Sequence, residues 1–132
     1  NMVGTNSLCG AFGGGTLFTL SPAGKVALLH TFSPRGQGGK PLGGLVRGSD
    51  GRFYGTTSQG ALGCGTVFSK SVDAQGSFKV LYTFPADGNA GCDARGTLIF
   101  GQDGALYGTT TYGGPHIDGT IFRLRHVQSP VQ

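Results

Sequence analysis

One unit of about 52 residues is written roughly two and a half times along this chain, and that periodicity constrains the fold more than any single residue does. Four anchors recur in a fixed order. Gly-Thr-apolar-Phe occurs at Gly15-Thr16-Leu17-Phe18, Gly65-Thr66-Val67-Phe68 and Gly119-Thr120-Ile121-Phe122. Tyr-Gly-Thr-Thr occurs at Tyr54-Gly55-Thr56-Thr57 and Tyr107-Gly108-Thr109-Thr110, with a degenerate copy at Val3-Gly4-Thr5-Asn6. Asp-Gly recurs at Asp50-Gly51 and Asp103-Gly104, and Thr-Phe at Thr31-Phe32 and Thr83-Phe84. Equivalent positions lie 50 to 54 residues apart. A period of this length marks a supersecondary unit that buries its apolar faces against neighbouring copies.

Each unit parses into four strands. In the middle copy these are residues 45–47, 52–57, 65–70 and 78–84. Asp50-Gly51 is a strong hairpin signal between the first two, and residues 73–76 supply a later turn. Phe78, Val80, Tyr82 and Phe84 alternate with polar residues, which predicts one buried face on the fourth strand. The first copy offers three strands (2–6, 15–20, 26–32) and the last three more (97–101, 105–110, 119–125). No useful stretch has a helical period. Glycine makes up 27 of 132 residues, against about 7% in ordinary chains. It falls between β-branched and aromatic runs, where tight turns need it. The prediction is an all-β chain.

Four short antiparallel strands in about 50 residues is the pattern of a β-propeller blade. The expected organisation is a single repeat domain: a partial blade over 1–43, a complete blade over 44–95, a partial blade over 96–127 and a tail over 128–132. Ten strands cannot close a ring that typically takes four to eight blades. The expected partners are therefore other copies of the chain, or the remainder of a longer repeat array, because open blades leave edges and apolar faces bare.

The run Gly44-Leu45-Val46-Arg47-Gly48-Ser49-Asp50-Gly51-Arg52-Phe53-Tyr54-Gly55-Thr56-Thr57, with Gly63-Cys64-Gly65-Thr66-Val67-Phe68 and Val80-Leu81-Tyr82-Thr83-Phe84, resembles the GloVer tandem repeat, named for Gloeobacter and Verrucomicrobia. The resemblance covers nearly the whole chain and leaves out residues 128–132. The first copy departs from it, with Met2-Val3-Gly4-Thr5-Asn6 in place of the Tyr-Gly-Thr-Thr segment. The resemblance implies large, secreted or surface-anchored bacterial proteins with many such units, and it assigns no catalytic residue.

The residues themselves offer little chemistry. Cys9, Cys64 and Cys92 make an odd count. A Cys64–Cys92 bridge would tie adjacent units and suit an oxidising compartment, leaving Cys9 free or bonded to another chain; sequence alone leaves that pairing open. No two cysteines have metal-ligand spacing. His30 falls in a strand, His116 in a loop and His126 in the tail; His116 and Asp118 are too few for a metal site. The segment Arg35-Gly36-Gln37-Gly38-Gly39-Lys40 is not a phosphate loop, since Pro34 holds the leading glycine's place and Pro41 follows the lysine. No Gly-x-Ser-x-Gly elbow is present. No cofactor and no metal is expected.

The candidate ligand-binding set is Tyr54, Thr56, Thr57, Tyr107, Thr109, Thr110 and Tyr112, in which aromatic planes stand beside fixed hydroxyls, a combination that suits sugars. The competing account is that tyrosine and threonine are simply good strand formers. The net charge of +4 comes from dispersed basic residues, with no run that reads as a nucleic-acid arm. No stretch has the length of a membrane-spanning helix. The sequence starts inside a repeat, so the lack of a leader says nothing of the precursor. Three functions follow. The first is a secreted or cell-surface module for self-assembly or adhesion, with a glycan among its possible partners. The second is a polysaccharide hydrolase or lyase, which six aspartates and no glutamate make hard to equip. The third is a structural subunit of a fibre.

Overall fold

A computed structural model describes residues 1–60, 63–73 and 75–125. Ten strands form, in the order β1 (Met2–Asn6), β2 (Thr16–Leu20), β3 (Val26–Thr31), β4 (Val46–Arg47), β5 (Phe53–Thr57), β6 (Thr66–Lys70), β7 (Phe78–Thr83), β8 (Ile99–Phe100), β9 (Leu106–Thr110) and β10 (Thr120–Leu124). They make three antiparallel sheets, β1-β2-β3, β4-β5-β6-β7 and β8-β9-β10, and no sheet closes on itself. The chain is all-β apart from one helical turn, α1 (Pro34–Gln37), in the linker between the first and second sheets. Four residues are too few to leave a periodic signal, so the sequence gives no hint of it.

The repeat motifs have a common physical basis. The glycine of each second-anchor segment pairs with the phenylalanine of the next strand: Gly4 with Phe18, Gly55 with Phe68 and Gly108 with Phe122. In each pair the ring lies over the glycine, so that a Cβ on Gly55 would come within 2.8 Å of the Phe68 ring. The glycine that opens Gly-Thr-apolar-Phe has φ of +96°, +97° and +97° at Gly15, Gly65 and Gly119. Its hydrogens face the carbonyl oxygens of Asn6, Thr57 and Thr110, where no side chain fits.

The predicted alternation on β7 is corrected. Its pairing with β6 shifts register between Val67 and Phe68, and Leu81 is the extra residue. The bulge breaks the single face: Phe78 packs toward the first sheet and Leu81 and Phe84 toward the third, while Val80 and Tyr82 stay 36% and 38% exposed. The β2–β3 pair carries the same bulge at Leu29.

Two apolar clusters hold the sheets in a row. Leu17, Leu29 and Phe32 of the first sheet pack with Phe68 of the second, flanked by Leu45, Phe53 and Phe78. Tyr54, Val67 and Phe84 of the second sheet pack with Leu98 and Leu106 of the third, flanked by Phe100 and Phe122. Adjacent residues of β6, Val67 and Phe68, thus enter different clusters, and all five residues of that strand are buried. The middle sheet is covered on both faces.

Candidate functional site

The disulfide is present. Cys64 precedes β6, Cys92 lies in the linker that leads to β8, and the bond joins them across a sequence separation of 28 residues. Cys9 is free and exposed. At the first junction, residues Gly14 and Gly39 take the corresponding places, with the position of a Gly39 Cβ 3.4 Å from the Gly14 Cα. The two junctions share a geometry, and one of them is covalently locked.

The seven candidate ligand residues separate into two groups. Tyr54, Thr56, Thr57 and Thr110 are buried. The Tyr54 hydroxyl donates to Asp50 Oδ2 at 2.6 Å, and its pKa is raised, first by burial and then by the neighbouring carboxylate. The Thr57 and Thr66 hydroxyls lie 2.8 Å apart, and Thr66 passes the chain of bonds to the carbonyl of Gln37 in the linker at 2.9 Å. Thr110 and Thr120 repeat this at 2.8 Å, ending on the Ala90 carbonyl at 3.2 Å. These threonines fasten each sheet to the linker that precedes it. The Thr56 hydroxyl oxygen is buried with no hydrogen-bond partner. Tyr107, Thr109 and Tyr112 remain accessible. Tyr107 donates to Asp103 Oδ2 at 2.8 Å, as Tyr54 does to Asp50, and this bond with the Ala105 amide holds Asp103 below the usual carboxylate range. The Asp-Gly-x-x-Tyr spacing, visible twice in the sequence, was the signal for this pair.

Tyr107 and Thr109 share one face of the third sheet with Ile99 and Ile121, and with Thr97 they line a shallow cleft of about 200 Å3. Tyr112 lies elsewhere, on the wall of a larger groove formed by residues 86–89, Cys92 and the loop 112–117. The candidate residues therefore do not converge on one site.

Other perturbed groups serve the fold. His30 stacks on Phe78 of the second sheet with ring centroids 4.0 Å apart, and its Nε2 lies 3.0 Å from Gln37 Oε1. Burial lowers its pKa, the Gln37 bond opposes this, and the Lys70 charge adds to the lowering. Lys70 is buried and donates to the carbonyl oxygens of Ser71 and Asp73; burial lowers its pKa, helped by Arg52. Asp93 pairs with Arg95 at 2.8 Å. Among the described residues no group of three or more His, Cys, Asp or Glu could hold a metal ion. His116 and Asp118 sit on an exposed loop, and His126 lies outside the described residues. Among the described residues no helix is long and apolar enough to cross a membrane.

Three antiparallel sheets, built from one repeated unit and joined by fastened linkers, define an all-β tandem-repeat protein. The Gloeobacter/Verrucomicrobia repeat model matches residues 1–131, and the chain belongs to that family. The match runs past residue 127, where the sequence resemblance was placed to end. No curated protein matches the chain, and no solved structure does.

Proposed function

We propose that this chain is an extracellular, propeller-type repeat module that acts by self-assembly or adhesion rather than by catalysis. One observation carries the reading. Leu17, Val67 and Ile121 are the same position of the repeat, and they are 0%, 1% and 84% exposed. The first two are covered by the following sheet; the third has nothing on it. Ile99 is bare beside it, while at the other end of the row Met2, Val26 and Leu28 are exposed on the opposite face of the first sheet. A face that twice accepts the front of the next sheet is a template for a third such contact, and the front of the first sheet is the matching surface. A second copy docked head to tail would extend the row of blades. Heterologous contacts of this kind close into a ring or run on as a filament, which keeps the fibre subunit as one form of the same reading. The disulfide suits an oxidising exterior.

Four clefts among the described residues offer the catalytic alternative little support. The clefts beside Met2, beside Gly14 and beside Ile121 contain no carboxylate, and the groove beside Tyr112 contains Asp87 alone. Light scattering tests the reading. The wild-type chain is expected to gain mass with concentration, and Ile121→Lys to remain a monomer at the same concentrations. A wild-type mass equal to one chain throughout would overturn the assembly reading.

A further inference from the structure

We propose that the groove at the junction of the second and third sheets is a binding site for a neutral glycan, with Tyr112 as the platform on which a pyranose ring stacks. The groove has a volume of about 520 Å3, within the range of about 300–1,000 Å3 usual for small-ligand sites. Its floor is fixed in advance. The Cys64–Cys92 bond anchors it, Cys92 N donates to Tyr112 O at 2.7 Å, Tyr112 N donates to Cys92 O at 3.3 Å, and Gly114 N donates to Gly88 O at 2.8 Å. A floor already ordered loses little entropy when a ligand settles on it.

The walls supply the two contacts that a sugar needs. Tyr112 is half exposed, and its ring is paired with no other aromatic ring among the described residues. Ile117 and Pro115 extend the apolar side. Asp87 lines the same groove, and its Oδ1 accepts the Asn89 amide at 2.9 Å, which holds the carboxylate in place and leaves Oδ2 to accept a sugar hydroxyl. The Asn89 side chain offers a donor and an acceptor beside it. A carboxylate with no cation among the lining residues selects against uronic or sulfated sugars.

The repeat does not require Tyr112. In the preceding junction Gln59 makes the same pair of backbone bonds, with Gly39. An aromatic ring stands at that position where the linker is disulfide-locked and Asp87 and Asn89 line the same groove. The site would give the adhesion reading a ligand, but it shares no residue with the bare Ile99–Ile121 face, so either proposal can fail without the other.

The test uses cellotetraose, mannotetraose and maltotetraose as probes. Isothermal titration calorimetry reads the binding, since it needs no signal from the ring that the variants alter. At least one tetraose is expected to bind, with Tyr112→Ala weakening it about tenfold or more and Tyr112→Phe holding it within about threefold. Melting curves superimposable on wild type show that both variants fold. No binding of any of the three up to about 10 mM, or Tyr112→Ala binding as the wild type does, overturns the proposal, whatever the state of assembly.

Discussion

Replacing Cys64 and Cys92 together by alanine removes the one covalent tie between the second sheet and the linker into the third. The chain-entropy estimate for a bond spanning 28 residues gives a loss of about 3.6 kcal/mol at room temperature, since closing that loop costs the unfolded chain about 12 cal/mol/K. An unfolding entropy of about 2.1 cal/mol/K per residue, taken over 132 residues, converts this into a fall in Tm of about 13 °C. The assay is thermal unfolding followed by circular dichroism, paired with thiol titration to show one free thiol, Cys9, in the wild type and one in the double variant. The loss has a location as well as a size. Without the disulfide the third sheet is held to the second by the Tyr54–Leu106 cluster and by non-covalent bonds such as the Thr110–Thr120–Ala90 chain, so hydrogen exchange should rise first in β8, β9 and β10. A fall in Tm of under about 4 °C would refute the reasoning, because it would mean that the junction is just as constrained in the unfolded chain without the bond.

Three further outcomes follow from single positions. Gly65→Ala should cost about 3 kcal/mol, since its Cβ would meet the Thr57 carbonyl at a φ of +97°, whereas Gly24→Ala, at +81° with open space around it, should cost about 1 kcal/mol; urea unfolding separates the two. Burial lowers the His30 pKa in the fold, so the stability this contributes is complete above about pH 6.5 and is lost as pH falls below that value toward the depressed pKa. Tm measured from about pH 7.5 down to about pH 5 should fall in the wild type and fall less in His30→Phe. Thr56→Val should raise stability by about 1 kcal/mol, because a buried hydroxyl with no partner is replaced by a methyl of the same shape; a lower Tm in that variant would mean that the hydroxyl is in use.

Much of the fold was legible. Ten strands were expected and ten form, because turn glycines and β-branched runs are local signals that need no tertiary context. Cys64 and Cys92 flank the same junction of the repeat, which made their bridge a candidate that the sequence left open and the structure shows. What stayed hidden was non-local. The bulge at Leu81 breaks the single face of β7 without any mark in its alternating pattern, and the burial of both Val67 and Phe68 depends on neighbours that the strand cannot announce. The same limit applied to the candidate site. Tyr54 and Tyr107 are identical in motif, yet the first lies under the third sheet and the second is accessible, so motif alone could not divide hydroxyls that fasten linkers from side chains open to a partner.

The polarity of docking can be tested by mixing two crippled chains. Ile121→Lys spoils the rear face of the third sheet, and Val26→Lys, at the position that Phe78 fills in the existing junction, spoils the front face of the first. Head-to-tail docking predicts that each variant alone is a monomer by light scattering and that an equal mixture forms a dimer and nothing larger, through the one intact pair of faces. A Val26→Lys chain that associates by itself, or a mixture that stays monomeric while the wild type assembles, would contradict the account of how these sheets extend.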